Sequence, residues 1–597
     1  LAGLFLALGA SASKLWTTRE LAEETMRGKP ILEKPIHPEQ SSSSNVKGLD
    51  WDYAMQWSNG PKDLLASLIP RAAGGSGAEE LSPNSKVLKD LRARGVTQNV
   101  PVPLYHGDLP FTSGPIYFGA CVLFLFVFGL FYVKPAIRWW LLAVLVLSLL
   151  LSMGKHFSIL NKPVFDLLPL YNKFRTPNSI LSITALFVAL GAALGLGGFM
   201  KGHEKSFQRP VWIALGIVGG LSLLTALLGP ALMNFSSPGD ARMAQVGFNI
   251  DALIADRKSA LTADAWRSFI WVVLCAGVVW VYHQGKIKQW LLLSGLGLLI
   301  IADLWGVGRR YINTSTFVDK KVAEAPFNPR TVDTQILQDP DLYYRVHDLT
   351  VNVFNSSIPA YHHRIIGGYS PAKLQRYQDL IDRYLAAGNM NVLNMLNAKY
   401  FITNGDNPRV QLNPDALGNA WFVDEIGWVK TNNEELESID TAVLYQTAFV
   451  HVEFEDQLRG FTPQKNGTIS LTSYEPDRLA YRTSSTSEQL AVFSDIYYGP
   501  DLGWQAYIDG QKVPHFRVNY ILRGLRVPAG DHEVRFIFEP KSYSVGEKIS
   551  LVCSTLILLA LLYGLYLWLT RETPVIAAAV PETIARTKST AGKRKNQ

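Results

Sequence analysis

Three cysteines in 597 residues exclude a disulfide scaffold. Cys121, Cys275 and Cys553 each fall inside an apolar run, and their spacing offers neither a bridge framework nor a metal site. Charge is sparse as well: 18% of the chain is charged, against 48% hydrophobic and 11% aromatic. That is too apolar for an average soluble protein and too polar for a pure membrane bundle, so a mixture is expected. The common signatures of soluble catalysis are missing. There is no P-loop, no glycine fingerprint after a strand, no HExxH and no GxSxG elbow. The glycines of GAALGLGGF (191–199) lie inside an apolar run, where they permit close helix packing rather than phosphate binding. No initiator methionine or charged leader precedes LAGLFLALGASAS, which reads as the back half of an apolar helix and not as a signal peptide. The chain is therefore expected to be N-terminally truncated. The net charge of +7 owes much to the tail ARTKSTAGKRKNQ, and a basic tail after a last span marks a cytoplasmic end rather than a nucleic-acid partner.

What is abundant is apolar sequence in long runs. Residues 116–133, 179–199, 211–229, 268–282, 290–307 and 548–569 approach or exceed the ~18 residues of a spanning helix, and 139–153 is shorter but nearly free of polar atoms. With the opening stretch, about eight spans are expected, hence a polytopic α-helical membrane bundle. The basic loops KPAIR (134–138), KGHEKSFQR (201–209) and GKIK (285–288) and the tail fall on one side by strict alternation, which makes that side the cytoplasm. Residues 1–307 then form the bundle, with outer loops 14–115, 154–178 and 230–267. Residues 308–547 form an extracytoplasmic domain, 548–569 the last span, and 570–597 a basic cytoplasmic tail. The lipid bilayer is the first partner. Apart from SSSS at 41–44, no low-complexity stretch interrupts this plan.

The outer block 308–547 carries its own pattern. DLYYRVHDLTVNVF, NGTISLTSYE, DRLAYRTSS and QLAVFSDIYY read as strands, whereas KLQRYQDLIDRYLAAG, ending at Gly388, and NVLNMLNA read as helices. WQAYIDGQKVPHF is a hairpin turning at Asp509-Gly510. The expected fold is α+β with a β-sandwich-like unit at about 465–540. Within 239–267, Ile250, Leu253 and Ile254 share one face, which predicts an amphipathic helix on the membrane surface.

Three groups of residues suggest chemistry. The loop 154–178 sets Lys155, Lys162, Lys173 and Arg175 against a single acid, Asp166, on the side where short loops usually avoid cations. A guanidinium suits the two oxygens of a phosphate, so Arg175, Lys173 and Lys155 are candidates for a lipid-linked phosphate; snorkelling or a pair with Asp166 is the alternative. In LDWDYAMQW, Asp50 and Asp52 sit among Trp51, Tyr53 and Trp57, a composition suited to stacking a sugar ring and deprotonating an acceptor hydroxyl. Interfacial aromatics and turn-capping acids account for it equally well. Trp504, Tyr507, Asn519, Tyr520 and Arg523 could form a glycan-binding face, with core packing as the alternative. The adjacent His362 and His363 point apart and do not make a metal site.

ETMRG (24–28), LDWDYAMQWSNG, KFRTPNS, YSPAKLQRYQDLID (369–382), NVLNMLNAKYFI, GNAWFV and the ending SDIYYGPDLGWQAYIDGQKV…NYILRGLRVPAGDHEVRFIFEPKSYSVG together resemble the YfhO-like bacterial membrane proteins, in a Bacteroidetes-type form. The resemblance implies a GT-C-type glycosyltransferase bundle with an extracytoplasmic domain in the bacterial cytoplasmic membrane. It implies a polyprenyl-phosphate sugar as donor and an envelope glycan or lipid as acceptor. The acid of such enzymes usually lies in a first outer loop that this chain is expected to lack, so Asp50 and Asp52 rest on chemistry alone. No cofactor is indicated, and a divalent metal stays open. A non-catalytic glycan-binding envelope protein and a lipid-linked sugar transporter are the alternatives.

Overall fold

The computed structural model describes residues 2–36, 48–81, 83–96, 98, 101–168, 170–202, 207–403 and 407–570. The tail from Arg571, SSSS at 41–44 and residues 203–206 of a basic loop lie outside the described residues. Among the described residues six helices are long and apolar enough to cross a membrane: Pro135–Ser152, Pro177–Met200, Gln208–Leu232, Ile250–His283, Gln289–Tyr311 and Lys541–Thr570. In hydrocarbon, an unpaired peptide group has no water to bond, which is why these apolar runs close every backbone bond within a helix. Pro135 and Pro177 open their helices, where a missing N–H costs nothing.

Two of the eight expected spans fall outside these six. The run 116–133 yields only Ala120–Gly129; Gly119, at a φ of 97°, delays its start, and it ends at Gly129 before the run does. The opening run splits at Ser11 into Ala2–Ala10 and Ala12–Glu24, both packed on Lys541–Thr570. Ser13 donates its backbone N–H to the Ser550 hydroxyl at 3.2 Å. A third correction concerns 239–267. A six-residue helix, Asp240–Gln245, comes first, and the stretch from Ile250 continues without a break into the span, with Leu253 buried. The apolar face is spent on the 87–104 segment rather than on lipid.

Glycines set the closest approach in the bundle. A Cβ on Gly195 would lie 2.1 Å from the Gly129 Cα, so the Ala120–Gly129 and Pro177–Met200 helices touch backbone to backbone. Around this seam the segments sort to two ends. Tyr132, Phe199, Phe207, Tyr282 and His283 pack together where the short basic connections lie. The segments 48–115, 154–178 and 233–249 meet one another and residues 25–36 at the opposite end. That end also carries the β-rich region: Met26 bonds to Lys373, and Thr25 bridges to Leu374.

Past Tyr311 the chain is α+β. A five-stranded antiparallel sheet (Gln511–Val513, Trp504–Ile508, Gly530–Phe538, Arg478–Ser485, Thr468–Glu475) faces a four-stranded one (Phe516–Val518, Leu522–Val527, Gln489–Ile496, Ala420–Val423) across a shared apolar core. Strand Gln489–Ile496 shows how sequence period becomes two cores. Ala491 and Phe493 enter the sandwich core, while Leu490 and Val492 enter a second core beneath the Gln375–Leu385 helical segment. The hairpin turns at Asp509 and Gly510, with φ of 50° and 82°. Both expected helices form, the first stopping before Gly388 at φ 72°.

Candidate functional site at the loop end of the bundle

The two stretches that the sequence marks out, 48–60 and 154–178, form one piece of structure. Asp50 starts a four-residue helix, Trp51–Ala54, by accepting the Tyr53 N–H at 3.0 Å. The strand of chain around it is stitched to the loop: Leu49 N–H to Asn172 O at 2.9 Å, Thr176 N–H to Ala54 O at 3.2 Å, and Asn178 N–H to Trp57 O at 3.3 Å. Asn59 N–H reaches Ser152 O at 3.0 Å, and the Ser58 hydroxyl accepts the Lys155 N–H at 3.0 Å. The loop bends sharply on either side of KFR. Leu170 and Thr176 both have positive φ, 68° and 74°, a strained choice for a β-branched threonine.

Arg27, Lys173 and Arg175 gather around this loop. Arg175 donates to the Tyr53 hydroxyl at 2.5 Å, and its guanidinium lies 4.8 Å from the ring centre. Lys173 donates to the Arg27 carbonyl, and Arg27 returns a bond to Lys173 O at 3.1 Å. Arg27 also leaves its Nε buried without a partner. Asp166 pairs with Lys162 at 3.4 Å, so the alternative pairing with Arg175 does not occur. Neither Arg27 nor Arg175 makes an ion pair among the described residues. Beside them Ile159, Leu167, Leu170 and Phe174 are exposed, an apolar rim flanking a basic patch. The Lys155 side chain is exposed at the same loop.

The two acids differ. Asp50 is spent as a helix cap, whereas Asp52 is exposed and makes no hydrogen bond or ion pair among the described residues. Trp51 packs edge-on against Phe165 at 5.3 Å and under Lys162, which makes it part of a small core rather than an open platform. Trp57 meets Phe111 edge-to-face at 4.6 Å.

Trp57 and Phe111 border a cavity of about 270 Å³ that no sequence motif announces. Asn59, Asp63, Tyr105, Thr112 and Asn178 line it too. Asp63 is committed to structure: it accepts from Gly60 N–H, Asp108 N–H and the Tyr105 hydroxyl at 2.9, 3.0 and 2.7 Å. Asn59 is the opposite case. It is fully buried, and among the described residues neither its Nδ2 nor its Oδ1 has a partner. Behind the cavity, burial pushes His106 down to about 4, so its ring is neutral. Arg257 clamps the same region, holding Asp240 at 2.9 Å and the Leu104, Phe235 and Pro103 carbonyls.

The expected glycan face at 504–523 does not assemble. Asn519 is wholly buried, its side chain accepting the Phe449 N–H at 2.8 Å. Arg523 is buried as well, stacked on Trp504 at 4.1 Å and bonded to Ile496 O. Tyr520 is interior, donating to Asp379. Arg523 turns inward from its strand, whereas Asn519 and Tyr520 lie in the turn between two strands, with φ of 49° and 69°, and that turn folds into the interior. Tyr507 alone of the five donates outward, to Glu539 at 2.9 Å. His363 meets Asp333 at 3.0 Å and His362 turns to the Phe327 carbonyl. No group of three or more metal-ligating side chains occurs among the described residues. Arg27, Asn59 and Asp63 went unremarked as site residues in the sequence; Arg27 sits in ETMRG and Asn59 in WSNG, but nothing local distinguishes them from surface residues.

No family model matches the chain, and no solved structure matches it. Among curated proteins the chain is similar to the "Putative pyrimidine permease RutG" of Escherichia coli (strain K12), 25% identical over 187 residues. The match spans 30% of this chain and 40% of that protein's length, and so leaves the family of the chain open. The chain is a multi-pass helical membrane protein with a β-rich domain on its loop end.

Proposed function

We propose that the chain is a GT-C-type membrane glycosyltransferase, or a large part of one, related to the YfhO-like proteins. It sits in the bacterial cytoplasmic membrane with the loop end and the β-rich domain outside and the basic tail in the cytoplasm. The loop end would bind a polyprenyl-phosphate sugar with its phosphate on Arg175, Arg27 and Lys173 and its prenyl chain along the apolar rim. One observation carries this reading: guanidinium groups at 27 and 175 that no carboxylate neutralises among the described residues, set beside exposed Phe174, Leu170 and Leu167. An amphiphile with a phosphate head matches that pairing. Asp52 is the carboxylate free to take the proton of an acceptor hydroxyl. The acceptor oxygen then forms a bond to the sugar's anomeric carbon, and the carbon–oxygen bond to phosphate breaks. The leaving polyprenyl phosphate keeps the electron pair, and the cations stabilise its added charge.

Arg175→Ala is expected to abolish turnover of a polyprenyl-phosphate sugar while membrane insertion and thermal stability stay intact. Unchanged turnover refutes the assignment. A lipid-linked sugar transporter is the second reading, favoured by Arg267 and Asp303, which pair at 2.9 Å between two spanning helices, and by the likeness to a protein described as a permease. Asp303 is also bonded to the Tyr117 hydroxyl at 2.6 Å and to the Cys121 N–H, the mark of a fixed structural pair. Uptake of the lipid-linked sugar by proteoliposomes, without glycosyl transfer, would favour transport.

A further inference from the structure

The cavity beneath Trp57 has a chemistry distinct from that of the basic patch. No lysine, arginine or histidine lines it among the described residues, and its one carboxylate, Asp63, has both oxygens bonded. An anionic ligand finds nothing there to hold it. A neutral ligand does: Asn59 offers one donor group and one acceptor, both buried and unpartnered. Buried amides without partners are rare, because each forfeits its bonds to water on folding. A side chain kept in that state at a cavity wall is suited to a ligand that completes it.

Size and shape narrow the class. A volume of about 270 Å³ lies at the lower edge of the range for small-molecule pockets, enough for one ring. A planar base would be sandwiched between two parallel aromatic faces. Trp57 and Phe111 are instead perpendicular to each other, at 84°, which offers no parallel slot for a flat base, whereas a pyranose needs only one ring to pack against. Ser113 and the Asn178 amide add polar groups around them, while the Thr112 hydroxyl is spent on Gly114. Asn178 also belongs to the KFRTPNS stretch, three residues from Arg175, so the cavity and the phosphate-seeking patch are built on one loop.

We infer that the Trp57–Asn59–Phe111 cavity is a subsite for one uncharged pyranose ring, recognised through its hydroxyls by Asn59. This rests on the transferase reading only for which sugar arrives there: the donor's own residue or the acceptor's terminal one. The test is saturation-transfer NMR on the purified full chain in detergent. The probes are methyl glucoside, methyl galactoside and N-acetylglucosamine, with glucuronate and uracil as contrasts. At least one neutral pyranoside is expected to saturate and to compete away on Asn59→Leu, with affinity falling ~10-fold or more, as when a hydrogen-bonding site meets an unpaired partner. Asn59→Leu keeps the shape of the side chain, and a melting temperature at or above wild type establishes that it folds. Binding of uracil without a pyranoside, or pyranoside binding indifferent to Asn59→Leu, overturns the subsite. So does the absence of binding by every probe. Donor turnover measured on the same preparations judges the transferase reading separately.

Discussion

Gly195 offers the sharpest test of how the bundle is held. A methyl group there would stand 2.1 Å from the Gly129 Cα and 2.5 Å from its carbonyl carbon, both backbone atoms that no rotamer change can move. Carbon–carbon contact is comfortable near ~3.5 Å, so Gly195→Ala must push the Ala120–Gly129 and Pro177–Met200 helices apart by more than ~1 Å. Overpacking of this kind costs about 1–3 kcal/mol. Gly197, two residues on and on the same helix, has nothing within 4 Å, so Gly197→Ala should be neutral or stabilise by up to ~1 kcal/mol through helix propensity. The pair isolates packing from propensity. Thermal unfolding of both variants in one detergent should place Gly195→Ala clearly below wild type and Gly197→Ala at or above it. Because Pro177–Met200 begins directly after Arg175, donor turnover should fall with Gly195→Ala as well. Equal stability of the two variants would refute the backbone contact.

Three further outcomes are expected. Asp50→Asn should leave stability within ~0.5 kcal/mol, since asparagine caps a helix as aspartate does, whereas Asp52→Asn should abolish glycosyl transfer without loss of donor binding; turnover retained by Asp52→Asn removes it as the base. Arg257→Met should strip Asp240 of its buried partner and cost about 3–5 kcal/mol, read as a lowered melting temperature, and a variant as stable as wild type would deny the clamp. His515 is buried without a hydrogen-bond partner for either ring nitrogen, and burial holds it down to about 3. The unfolded chain takes up that proton near the ordinary ~6.5, so the contribution to stability is full above that pH and declines as pH falls towards about 3, with a slope of up to ~1.4 kcal/mol per unit. His515→Phe should flatten that part of the acid-unfolding profile, and an unchanged slope would refute it.

Much of the architecture was readable in advance because it depends on local terms. Apolar run length marks the spans, period-two alternation marks strands such as Arg478–Ser485, and Asp509-Gly510 marks a hairpin. Where local reasoning failed, a non-local or single-residue effect prevailed. Gly119 delayed the start of one expected span. The segment from Ile250 looked like a surface helix, yet its apolar face found Val87, Val102 and Leu104 to pack on, residues some 150 positions away. The glycan face at 504–523 failed for the same reason. Residue type could not tell an outward Asn519 from one whose amide is bonded to Phe449 across the sequence.

The KFRTPNS stretch divides along the same line. Sequence by itself determined that Lys173 and Arg175 lie in a short basic loop between two membrane helices, since hydropathy and charge are additive along the chain. Only tertiary structure decided their company. It gave Asp166 to Lys162, brought Arg27 to Lys173 from 146 positions away, set Arg175 on Tyr53, and buried Asn59 at a cavity with its amide unpaired. Ion pairing and burial depend on distances in space, and the chain fixes those only once it has folded.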